Sequence, residues 1–325
     1  MPFGVQIHMN RRSWLTLAVA CLLAAVLLYF SFRGIDWAEL GRRLSRARLD
    51  LVAAAAGVQL FNLWLRSVRW RVLLNTSQTL PVMSVFWANA VGYLGNNVLP
   101  ARMGELLRVE AVKRRHATSR SYAMATALIE RVMDAGVLVL LTSAALLTYQ
   151  QLPETLYRAS QTFSILSAAG ILTLFLLPHA GTRVDAALIR FPAAQGIAER
   201  FLEGLRSLHS WSRSAQFLFL TLVIWPIDSY SGVLVAQALG MEMSFATAMV
   251  VLAALGLSSA MPSTPGYVGV FQFVAVTVLK PFGYAQEEAI AWVILYQAVG
   301  YVVQCGFGTI GLFVLSQGQA RAARA

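Results

Sequence analysis

Pro100-Ala101-Arg102-Met103-Gly104-Glu105-Leu106-Leu107-Arg108-Val109-Glu110-Ala111-Val112 separates two long apolar stretches, Val82–Leu99 and Tyr122–Leu147. Proline and glycine break a helix here, and Arg102, Glu105 and Arg108 bring charge to the break. Charge beside irregular backbone is costly near lipid unless protein buries it or a wet cavity solvates it. The segment therefore predicts a polar site inside a membrane protein, and with it transport or handling of lipid.

The rest of the chain agrees. Of its 325 residues 58% are hydrophobic and only 13% charged, and the mean hydropathy is +0.62. The apolar residues come in runs of about 20, the length that crosses a bilayer. A net charge of +11 could suggest nucleic acid in a soluble protein. Here the arginines sit in short loops beside apolar runs, so positive-inside topology and anionic headgroups account for them, and nucleic acid is excluded as a partner. Cys21 and Cys305 both lie inside apolar runs and are expected to be small buried hydrophobes. Arg11, Arg12 and the run Trp14–Phe32 resemble a signal peptide, but no small-residue cleavage site follows; an uncleaved first transmembrane helix is expected.

The predicted fold class is an all-α polytopic membrane protein forming one integral membrane domain over 1–325. Six full spans are expected at Trp14–Phe32, Leu49–Leu65, Tyr122–Leu147, Ser160–Leu177, Ala215–Leu239 and Ala289–Leu315. Two more apolar stretches, Val82–Leu99 and Phe245–Met261, each meet a Pro/Gly break and continue as a second half, Met103–Val112 and Tyr267–Leu279. These second halves look too short to span, so two re-entrant hairpins are expected, over 82–112 and 245–279. The first half of the domain runs from about 14 to 148, and the second from about 215 to 315. A cytoplasmic amphipathic linker, 179–214, joins them; its 196–211 stretch reads either as an interfacial helix or as one packed on the bundle. A short surface helix is expected within 33–48.

Placing both termini in the cytoplasm puts Arg66, Arg69, Arg71, Lys113, Arg114, Arg115, Arg120 and the 179–214 arginines inside. The 33–48 loop violates the rule with Arg33, Arg42, Arg43, Arg46 and Arg48. The expected location is a bacterial cytoplasmic membrane.

The two breaks share a layout. Asn96 and Asn97 precede Pro100, with Gly104 four residues beyond it; Ser258 and Ser259 precede Pro262, with Gly266 four residues beyond. With the first break open to the cytoplasm and the second to the outside, this is the pattern of an inverted repeat, and paired breaks in two halves point to a midplane site.

At these residues the chain resembles the lysylphosphatidylglycerol synthase transmembrane family, also called the flippase-like domain family. The resemblance is carried by Asn97 through Arg108, then Glu130-Arg131 with Asp134, then Pro262-Ser263-Thr264-Pro265-Gly266-Tyr267-Val268-Gly269, with Arg69-Trp70 at the end of the second span. It covers nearly the whole chain. It implies a membrane region that moves lipid: in the best-understood members it accompanies a domain that transfers lysine to phosphatidylglycerol, while stand-alone members are linked to phospholipids, hopanoids or polyprenyl-linked sugars. Two positions depart from the family pattern. Tyr267 replaces a glycine, and Gln272 stands where a glutamate is common, which puts a proton- or cation-coupled role there in doubt while leaving hydrogen bonding to a headgroup.

The candidate substrate-binding residues are Asn97, Arg102, Glu105, Arg108, Glu130, Arg131, Asp134, Asp228 and Gln272, with backbone breaks at Pro100, Gly104, Pro262, Pro265, Gly266 and Gly269. Arg102 and Arg108 suit a lipid phosphate, because guanidinium presents a planar fork of donors; Arg102 with Glu105 could equally form a structural clamp. Glu130 and Asp134 lie one helical turn apart and share a face, so they are expected to pair with Arg102 or Arg108. Asp228, beside Pro226, reads as a cavity wall or a proton site. The four histidines are dispersed, and no catalytic constellation, metal spacing or phosphate-cradling loop emerges, so no cofactor is expected. The expected function is translocation of an anionic or headgroup-modified lipid, with membrane lipids as partners and a lipid-modifying enzyme or glycosyltransferase as a further one. A membrane-embedded enzyme or an accessory scaffold of such an enzyme is the alternative.

Overall fold

A computed structural model describes residues 11–75, 79–99, 103–116, 118–148, 154–176, 208–259 and 264–322. Eleven α-helices fill them: α1 (Arg11–Phe32), α2 (Trp37–Ser45), α3 (Leu49–Leu74), α4 (Val82–Val98), α5 (Gly104–His116), α6 (Arg120–Leu146), α7 (Glu154–Leu176), α8 (Trp211–Ala238), α9 (Phe245–Ser258), α10 (Val270–Leu279) and α11 (Gln286–Ala322). Short 3-10 turns at Pro265–Tyr267 and Lys280–Phe282 flank α10. The chain is an all-α polytopic membrane protein. Among the described residues four helices are long and apolar enough to cross a membrane, or five if the bent pair α1–α2 counts as one span.

Every expected span is helical over its described residues, but α6 and α7 are not among the helices long and apolar enough to cross, and α1 is so only together with α2. The second span and the later hairpin also differ from expectation. The second does not stop at Leu65: α3 runs to Leu74, carrying Arg66 and Arg69 into the protein instead of to its cytoplasmic edge. Their charge is matched by carboxylates from distant helices, so lipid never meets it. The second limb of the later hairpin, counted with its 3-10 turns, is 18 residues long and apolar enough to cross alone, longer than expected. Cys21 also departs from expectation, being exposed on α1 where an apolar thiol would face lipid, while Cys305 is half-buried. Residues 179–207 of the 179–214 amphipathic linker, most of its 196–211 stretch among them, lie outside the described residues. In the 33–48 loop, α2 is capped by Asp36, whose Oδ1 accepts from Ala38 N at 2.9 Å and Glu39 N at 3.0 Å.

Helices α4 and α5 form the first hairpin. Ser84 Oγ and His116 Nε2 lie 2.6 Å apart at its base, while Asn97 near its tip donates to Gln304 at the middle of α11, 2.9 Å away. Small residues let the limbs close: a Cβ on Gly95 would sit 2.7 Å from Gly104 Cα, and one on Gly104 would collide with Gly92 O. Helices α9 and α10 form the second hairpin. Its base lies at the other end of the molecule, where Tyr284 donates to Glu242 O at 2.7 Å and Arg48 N donates to Ala238 O at 2.9 Å. Its tip returns to mid-height, where a Cβ on Gly256 would lie 3.4 Å from the Trp225 ring of α8. The two hairpins thus enter from opposite ends and meet in the middle, the layout an inverted repeat produces.

Helix α11 braces both. Gly308 and Gly311 bring it against the backbone of α4, where a Cβ on Gly308 would stand 2.7 Å from Ala90 O. Farther along, Gln297 donates to Gly266 O at 3.0 Å, and the Tyr301 hydroxyl donates to the same carbonyl. The backbone at that tip is tightly turned, with Gly266 at φ 68° and Tyr267 at φ 62°. Gly suits such angles; for Tyr267 they are strained.

Candidate functional site: a polar cavity between opposed hairpins

The tips of the two hairpins wall one cavity of about 180 Å³. Asn96 and Asn97 come from the first hairpin, and Ser259, Gly266 and Tyr267 from the second. Helix α3 contributes a polar stripe, Gln59, Asn62 and Arg66; α11 contributes another, Gln297, Tyr301 and Gln304. Each stripe recurs at helical spacing, so one face of an otherwise apolar helix is polar.

Arg66 is tied to Asp228 of α8 at 3.1 Å, and the guanidinium lies 4.7 Å from the centroid of the Trp225 ring. Tyr296 donates to the other Asp228 oxygen at 3.1 Å. Arg131 reaches the cavity from α6 while bonding Glu105 at 2.7 Å and approaching Asp134 at 3.7 Å.

Behind this wall lies a buried ion network. Arg69 is 2% exposed and grips Glu130 at 3.2 Å and Asp134 at 3.1 Å. Trp225 donates to Asp134 at 3.1 Å as well. Glu130 also meets Arg108 at 2.9 Å, and Arg108 continues to Glu105 at 2.7 Å and Asn89 at 3.0 Å, with its guanidinium 4.4 Å from the Trp70 ring centroid. Four arginines and four carboxylates thereby link α3, α5, α6 and α8, each charge with an opposite partner, which is the condition for holding ions in a dry interior.

Of the sequence candidates, Asn97, Arg131, Asp228 and Gly266 line the cavity. Glu105, Arg108, Glu130 and Asp134 form the network behind it. Gly104 is the contact point of the first hairpin. Gln272 caps the second limb, accepting from Gly269 N at 2.7 Å and donating to Gln297 at 2.6 Å; it and Gly269 hold the tip without facing the cavity. Pro265 begins the 3-10 turn at that tip. Pro100, Arg102 and Pro262 lie outside the described residues. Glu130 pairs with Arg108 as expected, but Asp134 takes Arg69, a residue placed by sequence at the cytoplasmic edge. Sequence reading also missed Arg66, Asn62, Tyr296 and the amides of α11. The signal was present: Gln297, Tyr301 and Gln304 follow at i, i+4 and i+7 within an apolar run.

The class these features define is a multi-pass membrane protein with two opposed helical hairpins around a polar cavity. The chain belongs to the family described as "Lysylphosphatidylglycerol synthase TM region", whose profile matches residues 15–308. It is similar to the UPF0104 membrane protein MJ1078 of Methanocaldococcus jannaschii, 22% identical over 224 residues, which cover 68% of this chain and 94% of that one. It is also similar to the glycosyltransferase AglD of Haloferax volcanii, 25% identical over 301 residues, which cover 81% of this chain and 48% of that protein. The chain thus spans about half the length of AglD.

Proposed function

We propose that this protein moves a lipid with a polar headgroup, anionic or chemically modified, between the leaflets of a cytoplasmic membrane, without hydrolysing ATP itself. The observation that carries this reading is a polar cavity walled by the tips of two hairpins that enter from opposite ends. Chemistry confined to one membrane face has no need of the second hairpin, whereas access alternating between faces does. The family supports a role at membrane lipids. In a transport cycle the headgroup would occupy the cavity while the acyl chains stay in the bilayer, since the cavity is too small for both.

The experiment is leaflet exchange in proteoliposomes carrying trace fluorescent lipid. Dithionite added outside quenches only the outer leaflet of protein-free vesicles. Quenching that extends to the inner leaflet when the protein is present supports the proposal; identical quenching with and without protein refutes it. The relative named as a glycosyltransferase favours a second reading, in which this region serves a glycolipid-synthesising assembly. That reading gains if exchange is absent while the protein co-purifies with a transferase.

A further inference from the structure

The second limbs of the two hairpins are held in place by different chemistry. Limb α5 of the first hairpin is pinned by charge: Glu105 bonds Arg131 at 2.7 Å, and Arg108 bonds Glu130 at 2.9 Å and Asn89 at 3.0 Å. The second limb of the later hairpin has no charged residue between Pro265 and Leu279. Parting α5 from its neighbours would strand buried ions, whereas parting α10 from its neighbours would strand none.

What holds the tip of this limb is a ring of neutral hydrogen bonds. Gln297 and Tyr301, one turn apart on α11, both donate to Gly266 O, Gln297 at 3.0 Å. Gln297 also accepts from Gln272 at 2.6 Å, and Gln272 accepts from Gly269 N at 2.7 Å. Each such bond shifts an equilibrium by only about fivefold, because water takes its place once the tip is free.

The same bonds work against strain. Tyr267, next to the bonded carbonyl, is held at φ 62°, a left-handed angle that a non-glycine residue keeps only when its surroundings impose it. Letting go of α11 lets Tyr267 relax. Left-handed glycines bound α10, Gly269 at φ 90° and Gly283 at φ 86°, and give it a joint at each end. Gly266 and Tyr267 both line the cavity, so the bonded tip is part of the cavity wall.

We propose that the second limb, Pro265 to Leu279, is a spring-loaded gate. Gln297 and Tyr301 latch it at Gly266, the strained backbone at Tyr267 opposes the latch, and release opens the cavity toward the end at which the second hairpin enters. The first hairpin, pinned by its ions, stays shut when no ligand is bound. This goes beyond the translocation reading, since it concerns how the cavity opens whatever the cavity takes.

The test uses the full chain in phosphatidylcholine nanodiscs, with Cys21 and Cys305 changed to alanine. Val270→Cys puts a thiol at a 2% exposed position at the start of α10, and Val109→Cys puts one at a 1% exposed position on α5. A charged methanethiosulfonate reagent reaches either thiol only when its limb lifts, so the modification rate reads the open fraction. The Val270→Cys thiol should react at least about tenfold faster than the Val109→Cys thiol. Tyr301→Phe should raise the Val270→Cys rate about fivefold, the weight of one hydrogen bond, and leave the Val109→Cys rate unchanged. Tyr267→Gly should lower the Val270→Cys rate by about the same factor, because no strain then opposes the latch. Equal rates at the two positions, a faster Val109→Cys thiol, a Tyr301→Phe effect shared by both, or a rise with Tyr267→Gly overturns the inference. Should either latch variant fail to fold, the comparison of the two thiols decides alone. Leaflet exchange measured in parallel separates the two claims. Selective modification without exchange sinks translocation and leaves the gate standing; exchange with equal modification does the reverse.

Discussion

Arg69 is held by two carboxylates from one face of α6, Glu130 and Asp134, and all three are nearly inaccessible to solvent. Removing one partner of such a pair leaves a buried charge without compensation, a cost of about 3–5 kcal/mol. Arg69→Ala should therefore lower the thermal midpoint and expression sharply, as read by fluorescence-detected gel filtration after heating. An Arg69→Met, Glu130→Gln, Asp134→Asn variant, which removes the charges together, should recover a good part of the loss. No recovery would mean that the network is held by something other than charge matching. At this scale the sequence was half legible. Glu130, Asp134 and Arg108 declared themselves as charges inside an apolar context, and their shared helical face followed from spacing. Their partners did not, because Arg69 pairs with residues 61 and 65 positions away. Nothing local to Arg66 or Arg69 separates a guanidinium at a helix end from one carried inward on a longer helix.

The first hairpin depends on backbone contact between its limbs. A methyl group on Gly104 meets Gly92 O, so Gly104→Ala must push α5 away from α4 and should cost about 1–3 kcal/mol, the usual penalty for overpacking. Gly306 on α11 faces open space, and Gly306→Ala should instead be neutral or stabilising by about 0.5–1 kcal/mol. Thermal melts of the two variants side by side check the contrast, and equal midpoints would contradict it. His116, at the base of the same hairpin and outside the candidate spans, is pushed below its ordinary value by burial and by Arg115. Its neutral form therefore belongs to the fold. The stability it contributes is complete above the unfolded value of about 6.5 and is lost as pH falls through the lowered folded value. The midpoint of the wild type should drop more between about pH 7 and pH 5 than that of His116→Gln; parallel slopes would remove the role. The helices were largely legible because apolar runs and Pro/Gly breaks are local signals. The end of α3 was not, since it is set by ion pairs made across the bundle.

For the molecule as a whole, the repeated Pro-x3-Gly spacing anticipated two hairpins, and the structure places their bases at opposite ends and their tips together. The cavity between them was harder to foresee. Its walls are built mostly from amides and phenols on α3 and α11, residues that a charge-led reading passes over. Their spacing becomes meaningful only when the two polar stripes are seen to face one another.

If that cavity is the lipid path, filling it must stop movement without unfolding the protein. Ser259 lines the cavity from the tip of the second hairpin and is partly exposed, so Ser259→Phe would occupy the space with little displacement of its neighbours. The most direct measurement is leaflet exchange by dithionite quenching in proteoliposomes of wild type and Ser259→Phe, matched for protein content and thermal midpoint. The account predicts inner-leaflet quenching with the wild type and only outer-leaflet quenching with the filled variant. Exchange by Ser259→Phe at the wild-type rate would contradict it.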